Sequence, residues 1–198
     1  MLENLRAFGD RLVRPIARLL LALRVAPDVV TWLGTVAVCV TALITVPQGW
    51  LWQGALIIGV LSLSDTIDGA MARLDDRVGR WGAFLDSSLD RVADGAIFGS
   101  VVIFFALRGE QAWAVLALAV LVTGQLISYL KARAESLGGT GGGGPAARAD
   151  RIVIILLGML AHGLGLPWAL PAALVVLAVL GGWTVALRMR RAARSLAE

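Results

Sequence analysis

The sequence has very few of the residues that build disulfides, imidazole sites and solvated surfaces. Cysteine and histidine occur once each, as Cys39 and His162, and only 16% of the 198 residues are charged. A single cysteine excludes a disulfide framework within the chain, and we interpret Cys39 as a packing residue. His162 is predicted at the outer end of an apolar segment, far from the acidic residues, and we assign it no chemistry.

Nucleotide-binding and strand patterns are also missing. The one low-complexity stretch, 138–145, reads GGTGGGGP and lacks the Gly-Lys-Ser/Thr ending of a phosphate-binding loop. We interpret it as a flexible cytoplasmic linker. The apolar segments lack the alternation of membrane strands, and no internal repeat or second domain is visible. The pattern favours one helical domain over residues 1–198.

What the chain has in excess is long apolar segments. Hydrophobic residues make up 58% of the chain, and the mean hydropathy is +0.80. Most of the segments reach the ~20 residues that a helix needs to cross a bilayer. Six are visible, at 29–46, 50–74, 82–107, 112–131, 152–166 and 168–187. We therefore predict an all-α integral membrane protein with a six-helix bundle over 27–189.

The segments that flank this bundle are basic. In residues 1–26, leucines recur at helical spacing with arginines mostly between them. That pattern predicts an amphipathic helix on the membrane face, with a disordered basic leader as the alternative. No small-residue cleavage site follows, so we do not expect a removable signal. Residues 190–198 form a basic tail.

The basic residues also predict orientation. Of the 18 Lys and Arg residues, sixteen fall on one side of the six-span arrangement, Arg108 falls on the other, and Arg91 lies inside a span. The positive-inside rule then puts both termini in the cytoplasm. The net charge of +4 suits anionic lipid headgroups and phosphorylated substrates, and we expect no nucleic-acid partner.

Two pairs of aspartates interrupt the second and third apolar segments. Asp65 and Asp68 are three residues apart, and Asp86 and Asp90 are four apart, so each pair shares a helix face. An antiparallel helix pair would bring the four carboxylates together near the cytoplasmic surface, where their repulsion must be neutralised. Carboxylates without nearby Cys or His select hard ions, so we predict Mg²⁺, with Mn²⁺ as an alternative. The competing interpretation is a charge network that only joins helices.

The aspartates belong to a longer pattern that resembles the CDP-alcohol phosphatidyltransferase family. Residues 65–90 match D-x-x-D-G-x-x-A-R-x₈-G-x₃-D-x₃-D at all nine fixed positions. The resemblance implies attack of an alcohol on CDP-diacylglycerol, with release of CMP, in a bacterial inner-membrane homodimer. It implies that the four aspartates hold one or two metal ions and that Asp90 is the general base. The residues implied to contact CDP-diacylglycerol are Asp28, Val29, Val30, Thr31, Gly69, Ala72, Arg73 and Gly79. At Gly79 relatives often carry Ser or Thr, so only a backbone contact is available there.

A second group of polar residues predicts the acceptor. Ser128 and Lys131 are three residues apart, Arg148 and Arg151 repeat that spacing, and Arg188 ends the last apolar segment. Converging guanidinium groups bind phosphate well. These residues resemble bacterial members of the family that use inositol 1-phosphate, which is therefore the predicted acceptor. The alternative is that they are ordinary basic anchors, which is our interpretation of Arg190, Arg191 and Arg194.

Other functions stay open at this stage. Within the family, a phosphatidylglycerophosphate synthase would also use a phosphorylated acceptor. A divalent-cation transporter could use buried aspartates, but the acids cluster towards one side of the predicted bilayer. A non-catalytic scaffold would tolerate neutral substitution of the aspartates. Asp94, one turn deeper than Asp90, is interpreted as a structural charge that pairs with Arg91 or with a neighbouring span.

Overall fold

The computed structural model describes residues 14–62, 64–74 and 79–197, and the side chains at 64–66 and 72 lie outside that description. Within it every regular element is an α-helix, which confirms the all-helical prediction. Residues 14–22 are helical and form α1. The other helices are α2 (Pro27–Thr45), α3 (Leu51–Leu61), α4 (Ser64–Leu74), α5 (Arg80–Leu107), α6 (Gln111–Ser136), α7 (Arg148–Gly163) and α8 (Ala169–Ser195).

Three helices in the described residues are long and apolar enough to cross a membrane. They are α2, α6 and α8, with mean hydropathies of 1.8, 1.9 and 2.2, and α3 is a shorter apolar helix. Large apolar side chains on these helices stay exposed, for example Leu33 at 65%, Val60 at 67% and Val179 at 66%. Lipid is the solvent in which such exposure carries no penalty.

The second predicted span corresponds to two helices rather than one. Segment 50–74 contains α3 and α4, with a turn at Ser62, while residue 63 lies outside the description. The predicted amphipathic helix over 1–26 corresponds in part to α1, and residues 1–13 lie outside the described residues.

The chain divides into two compact units. The first comprises Met1–Thr41 and Ile57–Ala93, and the second comprises Ala42–Leu56 and Asp94–Glu198. In the first unit α1 packs on α4: Ala17, Ala70 and Met71 are buried together. This contact holds the helix that carries the first aspartate pair.

The second unit is built on α8. Its most extensive contacts are with α6 and α7. Leu170, Leu174 and Leu177 of α8 are buried, and so are Ile127 of α6 and Ile155 of α7. Gly158 of α7 permits a close approach, because a Cβ atom there would lie 2.6 Å from the Cβ of Ala173.

The connection between α6 and α7 is ordered, and the prediction of a flexible linker for 138–145 is wrong. Side chains of α8 bond to the backbone of this segment at Thr140, Gly142 and Gly143, and to that of Ala146 directly after it. Composition does not predict such contacts, because a glycine-rich segment has few side chains whose pattern could indicate where it packs.

Candidate active site

The first aspartate pair lies on α4, next to the N-terminus of α2. Pro27 begins α2 with its φ preset for a helix, and Asp28 follows in the first turn, where negative charge is favoured. One turn later, the Thr31 hydroxyl lies 2.6 Å from Oδ2 of Asp68 and 3.2 Å from the carbonyl oxygen of Pro27. Asp68 is buried, with 7% of its surface exposed. Thr31 therefore positions one of the predicted metal ligands.

The second aspartate pair lies on the first half of α5. Asp86 is exposed and Asp90 is half-buried. The carboxylate of Asp90 forms an ion pair with the guanidinium group of Arg91 at 3.5 Å. Asp90 thus keeps contact with solvent while its charge is partly screened by Arg91.

The described aspartates do not by themselves make a complete metal site. The structure does not describe the side chain of Asp65. Among the side chains that it does describe, no group of three or more Asp, Glu, His or Cys residues could hold a metal ion. The four-aspartate arrangement stays a prediction. Its donor set still suits Mg²⁺ or Mn²⁺, since oxygen ligands favour hard cations.

Two predicted nucleotide contacts lie close to the aspartates in the first unit. A Cβ atom on Gly69 would meet only Nη1 of Arg73, at 3.6 Å, so the described chain leaves this face of α4 open. Asp28 accepts a hydrogen bond from the indole N–H of Trp81 at 3.2 Å. Sequence patterns do not predict this role of Trp81, because the contact joins residues 53 positions apart in the chain.

The remaining predicted nucleotide contacts vary in exposure. Val29 is exposed, Val30 is half-buried, and both Arg73 and Gly79 are exposed. The side chain of Ala72 lies outside the described part.

The second unit contains a cluster of a buried aspartate, a buried arginine and a half-buried arginine. Asp94 has 2% of its surface exposed and bonds to Nε of Arg148 at 3.2 Å and to Nη2 of Arg151 at 3.1 Å. Arg151, also 2% exposed, donates from Nη1 to the carbonyl oxygen of Ala146 at 2.9 Å. Of the two expected pairings of Asp94, with Arg91 or with a neighbouring span, the second is confirmed, and its partners are two of the predicted acceptor residues.

Arg188 is, with Arg151, a buried cation of this unit. It is 6% exposed, and it donates from Nε to the carbonyl oxygen of Gly143 at 2.9 Å and from Nη1 to that of Ile127 at 2.7 Å. It thereby joins α8 to α6 and to the segment that follows α6.

The two predicted acceptor residues on α6 are more accessible. Lys131 is exposed and lies 3.9 Å from Glu135. The Ser128 hydroxyl donates to the carbonyl oxygen of Gly124 at 3.4 Å.

The chain is similar to curated and solved phosphatidylinositol phosphate synthases. That of Cutibacterium acnes is 45% identical over 207 residues, covering 98% of this chain and all of the relative. That of Mycolicibacterium smegmatis is 43% identical, covering 88% of this chain and 80% of the relative.

Solved structures of the Mycobacterium tuberculosis enzyme have the same fold. The structure with CDP-DAG bound has a TM-score of 0.87 and 40% identity, covering 92% of this chain and 94% of that one. The structure in complex with manganese and citrate has a TM-score of 0.90 and 39% identity, covering 92% and 90%. The family model of the CDP-alcohol phosphatidyltransferases matches residues 24–189. The expectation raised by the aspartate pattern is confirmed: this chain belongs to the CDP-alcohol phosphatidyltransferase family.

Proposed function

We propose that this chain is a phosphatidylinositol phosphate synthase, which transfers the phosphatidyl group of CDP-diacylglycerol to inositol 1-phosphate and releases CMP. The observation that carries the proposal is the 45% identity to a phosphatidylinositol phosphate synthase along the full length of that relative. The nine-position aspartate pattern supports the reaction class independently. A phosphatidylglycerophosphate synthase would share that pattern, so the acceptor is what the experiment must decide.

The proposed reaction is a direct transfer at phosphorus. An acceptor hydroxyl oxygen attacks the phosphorus that bears diacylglycerol, the bond from that phosphorus to the oxygen of CMP breaks, and the hydroxyl proton passes to the carboxylate of Asp90. The partial exposure of Asp90 beside Arg91 supports its role as this base. In the described residues no serine, cysteine or histidine stands in an arrangement typical of a covalent nucleophile, which favours transfer in one step.

The proposed metal ligands are Asp65, Asp68, Asp86 and Asp90, holding one or two Mg²⁺ or Mn²⁺ ions. Bound ions of this kind stabilise charge on a diphosphate and ease the departure of CMP. Support comes from the chemistry of the donor set and from the 2.6 Å contact of Thr31 with Asp68. A buried carboxylate with a fixed hydrogen-bond donor presents its other oxygen in a defined direction.

We propose that CDP-diacylglycerol binds to the first unit. Arg73 would pair with the diphosphate, and the open face at Gly69 would let the nucleotide approach the backbone of α4. The N-terminal turn of α2 would hold the cytidine, with Asp28 oriented by Trp81. The residues assigned to this substrate are Asp28, Val29, Val30, Thr31, Gly69, Ala72, Arg73 and Gly79.

The acceptor phosphate is assigned to the basic residues of the second unit. Arg148 and Arg151 are held by Asp94, and Arg188 is held by two carbonyl oxygens. Arg188 donates to these oxygens from Nε and Nη1. We therefore assign its Nη2 to the acceptor phosphate. Lys131 and Ser128 complete the proposed pocket. Guanidinium groups in fixed orientations recognise phosphate better than mobile ones.

The chain is an integral membrane protein, and its finer topology is part of the proposal. We propose six spans in a bacterial inner membrane, with both termini and the active site facing the cytoplasm and with two copies forming a homodimer. The asymmetry of the basic residues supports the orientation.

The test is CMP release by the purified full-length chain with CDP-diacylglycerol and Mg²⁺. Inositol 1-phosphate, free inositol and glycerol 3-phosphate are compared as acceptors, and Asp90→Asn is the negative control, because it loses the base while keeping its size. Release with inositol 1-phosphate alone is expected. Release with glycerol 3-phosphate alone would overturn the acceptor while keeping the reaction class.

A further inference from the structure

The segment between α6 and α7 (residues 138–147), which we call the glycine loop, is hydrogen-bonded through its backbone to side chains on one face of α8. Ala146 donates its N–H to the Thr184 hydroxyl at 3.1 Å, and Thr140 donates its N–H to the Ser195 hydroxyl at 2.9 Å. Between these two points, carbonyl oxygens of the loop accept from α8. Arg188 donates to Gly143 and Arg191 donates to Gly142, both at 2.9 Å.

The α8 residues in these bonds are spaced four, three and four positions apart, so they share one helix face. The loop runs along this face in the opposite direction to the helix. Four such bonds specify the path of its backbone.

Two carbonyl oxygens of the loop hold arginines assigned to the acceptor phosphate. Gly143 accepts from Nε of Arg188, whose Nη1 is held by Ile127. Ala146 accepts from Nη1 of Arg151, whose Nη2 is held by Asp94. Each guanidinium group therefore makes two hydrogen bonds, one of them to the loop. Together with its covalent attachment to the rest of the side chain, these two contacts fix the orientation of the guanidinium plane.

The path of the loop requires glycine at two positions. Gly143 has a φ of 93° and Gly144 has a φ of 103°, values that side-chain-bearing residues rarely adopt. A Cβ atom on Gly144 would also lie 2.9 Å from Oγ1 of Thr184, and one on Gly143 would meet the guanidinium group of Arg191. Gly142 is different: its φ is not in the positive range, and a Cβ atom there would have no neighbour within 4 Å.

We propose that the glycine loop is a positioning element for the acceptor: its carbonyl oxygens at Gly143 and Ala146 orient Arg188 and Arg151 for the acceptor phosphate. This inference rests on the proposed function. It assigns to Gly143, Gly144 and Thr184 an effect on acceptor affinity, although none of them is assigned a contact with a substrate.

The test compares Gly144→Ala with Gly142→Ala in the full-length chain. Forcing alanine into the conformation of Gly144 shifts the loop, so the KM for inositol 1-phosphate should rise at least about fivefold, from the strain of a positive φ. The KM for CDP-diacylglycerol should stay within about twofold of the wild-type value. Gly142→Ala keeps its carbonyl oxygen and should leave both KM values within about twofold.

A second variant keeps the inference testable if Gly144→Ala does not fold. Thr184→Val removes the hydroxyl that accepts from Ala146 while keeping the size of the buried side chain. It should also raise the KM for inositol 1-phosphate selectively. A purely structural loop would instead lower the amount of active protein, and thus the maximal rate, with both KM values unchanged. That result, or an equal rise in both KM values, would overturn the inference.

Failure of the proposed function would be seen earlier and separately. A wild-type chain that releases no CMP with inositol 1-phosphate would overturn both the acceptor assignment and this inference. If the wild-type chain releases CMP with inositol 1-phosphate but Gly144→Ala leaves the KM for inositol 1-phosphate unchanged, the inference alone is overturned.

Discussion

Thr31 connects the start of α2 to the buried carboxylate of Asp68. Thr31→Val keeps the shape of the side chain but removes the 2.6 Å contact. Loss of a partner that orients a metal ligand typically lowers metal affinity by a factor of about 10 or more, so the Mg²⁺ concentration for half-maximal CMP release should rise roughly tenfold. Thr31→Ser, which keeps the hydroxyl, should restore most of the affinity. An unchanged Mg²⁺ dependence in Thr31→Val would show that this contact does not position a metal ligand.

Loss of the buried carboxylate of Asp94 should destabilise the whole second unit. Its side chain is 4% exposed and is bonded to Arg148 and Arg151. Asp94→Asn would leave both cations without their carboxylate, so the free energy of unfolding should fall by about 3 kcal/mol or more. Unfolding in detergent, followed by circular dichroism, measures the loss.

The matched control for Asp94→Asn neutralises an exposed ion pair. Glu135 lies 3.9 Å from Lys131, and both side chains are 53% exposed. Glu135→Gln should therefore change the free energy of unfolding by less than about 1 kcal/mol. Equal effects of the two substitutions would contradict a structural role for Asp94.

At the scale of elements, the contact of α7 with α8 depends on Gly158. Its missing side chain leaves room for Ala173, whose Cβ would lie 2.6 Å from an added Cβ atom. Each of these two Cβ atoms is fixed to the backbone of its helix, so the clash can be relieved only if α7 and α8 move apart. Gly158→Ala should therefore lower the free energy of unfolding by about 1–3 kcal/mol. The midpoint of thermal unfolding in detergent is the measurement.

Gly182 of α8 is the matched control for Gly158. An added Cβ atom there would have no neighbour within 4 Å. Alanine is favoured over glycine inside a helix by up to about 1 kcal/mol, so Gly182→Ala should be neutral or stabilising. A similar loss in both variants would mean that α7 and α8 do not pack as closely as the structure has them.

At the scale of the whole molecule, α6 allows the proposed orientation to be tested. It has 26 residues and is therefore ~39 Å long at 1.5 Å per residue, enough to cross a bilayer. Glu110 and Ser136, near its two ends, are both exposed. In a Cys39→Ala background, Ser136→Cys should react with a membrane-impermeant thiol reagent only from the cytoplasmic side, and Glu110→Cys only from the outside.

Both labelling variants should keep CMP release, which shows that the labelled protein is folded. The reverse pattern of labelling would overturn the orientation inferred from the basic residues. Labelling of both positions from one side would contradict a membrane-spanning α6.

Much of the candidate site could be predicted from the sequence. Each aspartate pair occupies one helix, and the spacing within a pair follows from helical periodicity alone. The contact of Thr31 with Asp68 could not be predicted, because it joins residues 37 positions apart. The partners of Asp94 were open for the same reason, since charge and burial predict that a partner exists but not which one.

The sequence by itself determined the family, the helical class, the membrane environment and the uneven distribution of basic residues. Each of these depends on residue type and local spacing, which the linear chain contains in full. Only the tertiary structure decided that the glycine loop is ordered and that its carbonyl oxygens hold Arg151 and Arg188. The physical reason is that backbone carbonyl groups are the same in every residue, so which of them meets a distant side chain depends on how the helices pack.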